Sequence, residues 1–296
     1  MKQVIGIDLG GTAIKLGLYL SDGTCQKSIA IPTPQPSFPE TVIKAIAAAI
    51  NQLDRDKQAL AIGIGTPGPV DATGRIAKIL INFDGWRDVP LAEMLEAQTG
   101  LPAIAANDAN CAGLGEAWLG AGRNYRHFIL LTLVTGVGGA IIIDGKLFVG
   151  HFGAAGELGL ITFNPDGPPC NSGNQGSLEQ YLSVRAIRRR TGKDPAELGN
   201  LARSGDSQAL KFWQEYGKDL GAGLASSIYI LTPEAVAIGG GISASAEFFL
   251  PAAKAEVDRR VLANCRLGLE ILPAELGNQA GMLGAAKLAI ERYGND

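Results

Sequence analysis

The chain has 296 residues, 46% hydrophobic and 19% charged, with a formal charge of −3 at pH 7. That is long enough for two domains or one large one, with a sizeable core. The small negative charge gives no electrostatic case for nucleic-acid or anionic-membrane partners, no apolar run reaches the roughly 20 residues that span a bilayer, and the first strand begins too early for a secretory signal.

An apolar run over 4–7 ends on Asp8. Gly10, Gly11 and Thr12 turn the chain, and a second apolar run covers 14–20. This is strand, tight turn, strand. Glycines without side chains let backbone N–H groups approach an anion, and Asp8 at the strand tip is placed to hold a hydrated divalent cation. An ordinary hairpin is the alternative. A helix follows over 40–53, with Val42, Ile43, Ile46, Ala49, Ile50 and Leu53 on one face. A strand over 59–65 runs into Thr66-Pro67-Gly68-Pro69-Val70-Asp71. A helix over 91–99 and a buried strand over 103–106 lead to Asn107-Asp108-Ala109-Asn110, which opens a helix over about 109–119.

The opening pattern then recurs. Residues 128–134 are apolar, Thr135-Gly136-Val137-Gly138-Gly139 turns, and 140–143 are apolar again. Two such units, about half the chain apart, read as a duplicated domain whose halves face each other across a cleft. The second half adds helices over 178–190 and 207–231. A strand over 236–238 enters Gly239-Gly240-Gly241-Ile242-Ser243. A helix through 262, a strand over 269–272 and a helix over 279–293 close the chain. Alternating elements argue an α/β fold with mixed sheets. The four cysteines (Cys25, Cys111, Cys170 and Cys265) show no paired spacing and read as free thiols of a reducing, cytoplasmic compartment.

Four glycine turns thus follow buried strands, at 8–12, 66–70, 135–139 and 239–241. Ligands of α/β sheets bind at such strand ends, so the set suits a nucleoside triphosphate and a second small substrate. None of them is a P-loop. Gly136, Gly138 and Gly139 approach the dinucleotide fingerprint but run into a strand, which rejects it.

These motifs, in this order, together with Ala155-Gly156-Glu157-Leu158-Gly159 and Gly176-Ser177-Leu178-Glu179, resemble the ROK family over residues 4 to about 290. That family comprises bacterial sugar kinases and sugar-responsive repressors within the hexokinase–actin–heat-shock ATPase superfamily. The resemblance implies a two-lobed, actin-like (ribonuclease H-like) duplicated α/β fold. A small lobe would span 1–107 with a C-terminal helix at about 282–296, and a large lobe 108–281. It implies an ATP- and Mg²⁺-dependent kinase acting on the 6-hydroxyl of a hexose. Glucose is favoured, with N-acetylmannosamine, N-acetylglucosamine, mannose and fructose open, and a homodimer is the expected assembly.

By resemblance Asp108 is the catalytic base; a helix N-cap is its other reading. Asn107, Glu157 and Glu179 match sugar-binding positions, suited to a polyol because acids and amides hold hydroxyls in pairs. Thr66, Gly68 and Asn82 are weaker candidates. Asp8 (with Mg²⁺ through water), Gly10, Gly11, Thr12 and Lys15 match the first phosphate loop; Lys15 also reads as a solvated strand lysine. Thr135, Gly136 and Gly138 match the second loop, and Gly239, Gly240 and Gly241 the turn beside the nucleoside.

The chain departs from the family at its zinc motif. There a histidine follows Glu-x-Gly and three cysteines follow in Cys-x-Cys-Gly-x-x-Gly-Cys. Here the histidine position holds Leu160, two cysteine positions hold Ser172 and Ser177, and only Cys170 remains. One thiol cannot make a site of four N or S ligands, so no structural zinc is expected. The loop 163–176 must then be held by turn residues, Pro165-Asp166-Gly167 and Pro168-Pro169. Ser177 and Gln180 read as a capping box. His151 reads as a loop histidine.

Three other functions compete. A repressor needs a helix-turn-helix module before the first phosphate strand, and none precedes it here. A polyphosphate-dependent glucokinase needs a basic groove, for which Arg185, Arg188, Arg189 and Arg190 are the candidates. A non-catalytic sugar binder is opposed by the intact Asp8 and Asp108.

Overall fold

A computed structural model describes residues 2–294. The chain divides into two compact units, Met1–Arg123 with Lys146–Ala155 and Asn278–Asp296, and Asn124–Gly145 with Gly156–Gly277. The last two residues of the expected C-terminal helix lie outside the described residues. No helix among the described residues is long and apolar enough to cross a membrane.

In the first unit β1 (Gln3–Leu9) and β2 (Ala13–Leu20) form the predicted hairpin, and β3 (Cys25–Pro32) pairs antiparallel with β2. After α1 (Pro39–Leu53), β4 (Ala59–Thr66) lies parallel to β1. A small ribbon of β5 (Ala77–Ile79) and β6 (Arg87–Val89) precedes α2 (Leu91–Thr99). Then β7 (Ala103–Asn107) lies parallel to β4 and feeds α3 (Asp108–Leu119). The sheet order is β3-β2-β1-β4-β7. Its alternating residues Ile5, Ile7, Ile62 and Ile64 point to one face, where the apolar stripe of α1 covers them.

The second unit opens with the second predicted hairpin, β8 (Phe128–Leu133) and β9 (Val137–Ile143). The two-residue strand β10 (Lys146–Leu147) is counted with the first unit. Four helices follow: α4 (Glu179–Leu182), α5 (Val184–Thr191), α6 (Pro195–Arg203) and α7 (Ser207–Leu231). Next come β11 (Ala235–Gly239), α8 (Ala246–Arg260) and β12 (Glu270–Pro273). The order β9-β8-β11-β12, an antiparallel hairpin followed by two parallel strands, repeats that of β2-β1-β4-β7. The expected duplication is therefore present in strand order. Gly217 and Gly221 let α7 lie on α8, since a Cβ there would stand 2.3 and 2.4 Å from the Phe249 and Ala253 carbonyl oxygens. Trp213, Tyr216 and Phe249 fill the space beside them.

The C-terminal helix α9 (Ala280–Tyr293) returns to the first unit and lies on the other face of its sheet. Glycine makes that approach: a Cβ on Gly63 would stand 1.7 Å from the Ala285 carbonyl oxygen. Helix α3 packs on α9 in the same way, through Gly284 against the Cys111 carbonyl. That packing keeps α3 in the first unit, so the boundary falls at Arg123 rather than at the expected 107/108.

Two further corrections concern the second unit. The predicted helix over 178–190 is two helices, because Ser183 is extended and its side chain caps α5, accepting from the Ala186 N–H at 3.2 Å. Ser177 forms no capping box: α4 is preceded by Leu178 with no side-chain cap, and Gln180 Oε1 accepts from Arg189 instead.

Candidate active site

Register aligns the candidates of the first unit. Asp8 pairs with Gly65 across β1 and β4, and Thr66 pairs with Asn107 across β4 and β7. Asp8, Thr66 and Asn107–Asp108 therefore stand in a row at the carboxyl ends of three adjacent parallel strands. Asp8 forms an ion pair with its cross-strand neighbour Lys15 at 3.4 Å, and its side chain is 24% exposed. The Gly10–Thr12 turn is pinned from behind by Thr33. Its hydroxyl donates to the Gly10 carbonyl at 2.6 Å and its N–H to the Thr12 carbonyl at 3.0 Å. On its outer side a Cβ at Gly11 would meet nothing within 4 Å. Backbone donors with open space in front are what an anion needs.

Asn107 and Asp108 together open α3, which is the helix-cap reading of this pair. Asn107 caps α3, accepting from the Ala109 and Asn110 N–H groups at 2.9 and 3.3 Å. Asp108 is the first residue of α3, and its Oδ1 accepts from the Ala109 N–H at 2.7 Å. A carboxylate is favoured at a helix N-terminus, and a carboxylate is the kind of group that can accept a hydroxyl proton. Cys111 is buried, and its thiol is pushed up by that burial and then by the charges of Asp108 and Asp8. Thr66 is fully buried with its hydroxyl on the Gly68 carbonyl at 3.0 Å, and a Cβ on Gly68 would strike the Ile79 carbonyl oxygen. These two shape the loop. Asn82 is exposed in the turn between β5 and β6.

In the second unit Thr132 of β8 pairs with Gly239 of β11, so the turns that follow, Thr135–Gly139 and Gly239–Gly241, leave neighbouring strands at the same end. Gly240 has φ +84°, and a Cβ there would stand 2.3 Å from the Leu133 carbonyl oxygen. Glu179 Oε2 accepts from the Val137 N–H at 3.0 Å, which places this acid against the turn. Glu157 stands on a segment laid flat on β9 by glycines on both sides, Gly139 against the Gly156 carbonyl and Gly159 against the Val137 carbonyl. Burial raises the Glu157 carboxyl above its usual range, and the Glu179 charge adds to the rise. Two acids held this close suit a polyol, whose hydroxyls can donate to both.

The zinc motif's positions hold no zinc-like donor set. Ser172 Oγ donates to the Cys170 sulfur at 3.3 Å; burial raises this thiol, but the Ser172 hydroxyl, the nearby Ser177 and the Ser172 N–H together bring it below its ordinary value. Ser177 Oγ is buried with no hydrogen-bond partner among the described residues. Leu160 offers only its carbonyl. Neutral hydroxyls and a leucine do not fit zinc. The turn residues do act, Asn164 Oδ1 accepting from Asp166 N–H and its carbonyl from Gly167 N–H. The main clip of this loop, however, is Asn174, a residue with no sequence signal. His151 is exposed, its ring 4.3 Å from Phe152.

A model of the ROK family matches residues 4–292. The glucokinase of Thermotoga maritima is 36% identical, with 99% of this chain and 98% of that protein covered. The structure of a ROK family glucokinase from Streptomyces griseus in complex with glucose and AMPPNP superposes with a TM-score of 0.82 at 35% identity, covering 98% of this chain and 99% of that one. The ROK hexokinase of Thermus thermophilus gives a TM-score of 0.87 at 33% identity, covering 99% and 100%.

Proposed function

We propose, for a chain that belongs to the ROK family, an ATP-dependent glucokinase that phosphorylates the 6-hydroxyl of glucose. The observation that carries this reading is the row of Asp8, Thr66 and Asn107–Asp108 at the ends of three parallel strands. Full-length likeness to glucokinases, one of them seen with glucose and an ATP analogue, supports it.

In this reading the Asp108 carboxylate accepts the sugar hydroxyl's proton as the oxygen attacks the γ-phosphorus. The new O–P bond forms as the bond to the ADP oxygen breaks. Glu157, Glu179 and Asn107 hold sugar hydroxyls and fix the one that reacts. The N–H groups of Gly11 and Thr12 and of Thr135 and Gly136 face phosphate oxygens, while those of Gly10 and Val137 hold the turns themselves by donating to the Ala13 carbonyl and to Glu179, and Gly239–Gly241 lies beside the nucleoside. A hard carboxylate such as Asp8 fits Mg²⁺ through water, and the ion would neutralise phosphate charge there. The scattered thiols and the resemblance support a cytoplasmic homodimer.

The test is a coupled assay of the purified protein with ATP and Mg²⁺ over a panel of hexoses, with Asp108→Ala alongside. Glucose is expected as the best substrate. Asp108→Ala is expected to bind glucose near normally while losing about 10²–10⁴ in turnover. No turnover on any hexose overturns the kinase, and retained turnover in Asp108→Ala overturns the base.

A further inference from the structure

Glu157 and Glu179 stand on two segments that run side by side. Thr162 bridges to Ser177, the Leu178 N–H donates to the Ile161 carbonyl at 2.9 Å, and the Phe163 and Asn164 N–H groups both donate to the Gly176 carbonyl. Towards Glu157 these main-chain bonds stop, and one side chain continues the join. Asn174 Nδ2 donates to the Leu160 carbonyl at 2.8 Å and to Thr162 Oγ1 at 3.1 Å. Leu160 is one turn from Glu157, its N–H donating to the Glu157 carbonyl at 3.0 Å. Asn174 is itself fixed: its carbonyl accepts from the Cys170 N–H at 2.8 Å and its Oδ1 from the Gln175 N–H at 2.8 Å.

We infer that Asn174 is a positioning residue for sugar recognition, holding through Leu160 and Thr162 the turn that presents Glu157 beside Glu179. The inference rests on the sugar-binding role proposed for those two acids. Like charges repel, and Glu179 already raises the Glu157 carboxyl. A join must therefore oppose their separation. The donors present, one thiol, two hydroxyls and a leucine, cannot give that task to zinc. An amide can take it because one NH₂ group serves two acceptors at once.

The test compares Asn174→Ala and Asn174→Asp with the wild-type enzyme. Asp keeps the Oδ1 acceptor and exchanges the donating NH₂ for a second oxygen, so both variants are expected to raise the glucose KM about tenfold, with kcat within about twofold and the ATP KM unchanged. Amide exchange in the unliganded proteins is expected to quicken at Leu160. Should Asn174→Ala fail to fold, Thr162→Val removes one of the two acceptors and is expected to raise the glucose KM about threefold. An unchanged glucose KM in the variants of an active enzyme overturns this inference alone, as does an equal loss in both substrates. A wild type inert on every hexose overturns the kinase reading, and the exchange at Leu160 still decides the join.

Discussion

Glu179 accepts a hydrogen bond from the Val137 main-chain N–H at 3.0 Å, so an acid proposed for the sugar is tied to the turn proposed for the phosphates. Gly136 guards this contact, because a Cβ there would stand 2.4 Å from Glu179 Oε2. Gly136→Ala must push the carboxylate off the turn. We expect the KM values for glucose and for ATP each to rise about tenfold, the worth of one charge-assisted hydrogen bond. Steady-state kinetics with each substrate varied checks this; a change for ATP alone would show that the tie has no bearing on the sugar.

Asp8 and Lys15 separate stability from function. Their ion pair is 3.4 Å long with side chains 24% and 38% exposed, so it contributes at most about 1 kcal/mol to stability. Asp8→Asn is therefore expected to move Tm by no more than a few degrees. Its turnover should fall at least about 100-fold, with no recovery at high Mg²⁺. Thermal melts and a Mg²⁺ titration of the rate check the pair of outcomes. A fully active Asp8→Asn would leave the carboxylate as a surface ion-pair partner only.

The elements that bear on the site were largely legible, for a physical reason. A strand that must be buried on both faces reads as an apolar run, and a turn that brings backbone close to something else needs glycine. Both turns at 8–12 and 135–139 follow from this. What failed were features without a local signature. Ser183 looks like any helix-surface serine, yet it breaks the predicted helix by capping the next one. β3 is mostly exposed, with only Ile29 and Ile31 of its one face packed on the core. Ser177 followed by Gln180 spells a capping box, but burial beside Cys170 takes the hydroxyl out of reach. The bonds of Asn174 to Leu160 and of Glu179 to Val137 join residues far apart in sequence, and a single sequence holds no record of either.

Glu157 yields a pH prediction with a definite sign. Burial, then the Glu179 charge, raises its carboxyl in the folded protein, so the folded state holds this proton more tightly than the unfolded chain. The stability from that protonated form is complete below the ordinary carboxylate range, about pH 4, and is lost as pH rises through the raised value. Glu157→Gln removes the loss. We expect the variant to melt above the wild type at pH 7.5, with the gap closing by about pH 4, while its glucose KM rises. Melting curves across this range settle the sign; a variant that melts lower at pH 7.5 would show that the ionised acid is stabilising.

Gly284 and Gly11 bracket what glycine does here. A Cβ on Gly284 would stand 1.6 Å from the Cys111 carbonyl oxygen, whereas one on Gly11 meets nothing. Gly284→Ala must part α3 from α9 and is expected to cost about 3 kcal/mol, lowering Tm by roughly 5–10 °C. Gly11→Ala is expected to stay within about 0.5 kcal/mol of the wild type. Its ATP KM should nonetheless rise, since the methyl enters the space proposed for a phosphate. Denaturant unfolding of both, with kinetics of Gly11→Ala, makes the comparison.

The choice of phosphoryl donor turns on the arginines of α5. Arg188 Nε donates to Asp194 at 2.5 Å, Arg189 to Gln180 at 3.1 Å, and Arg190 to Asp219 at 2.9 Å while lying 5.0 Å above the Phe212 ring. Three of the four candidate arginines thus have partners within their own unit. A polyphosphate groove needs a row of cations whose charge is uncommitted, because binding draws on counterion release along the polyanion. Here Arg188, Arg189 and Arg190 would first have to leave their own partners. We therefore expect ATP to exceed polyphosphate about 50-fold or more in kcat/KM at equal phosphoryl concentration, with the polyphosphate rate collapsing in salt. Arg188→Ala with Arg189→Ala should leave ATP kinetics unchanged. Comparable rates on the two donors, with polyphosphate activity lost in the double variant, would instead make this helix face the donor site.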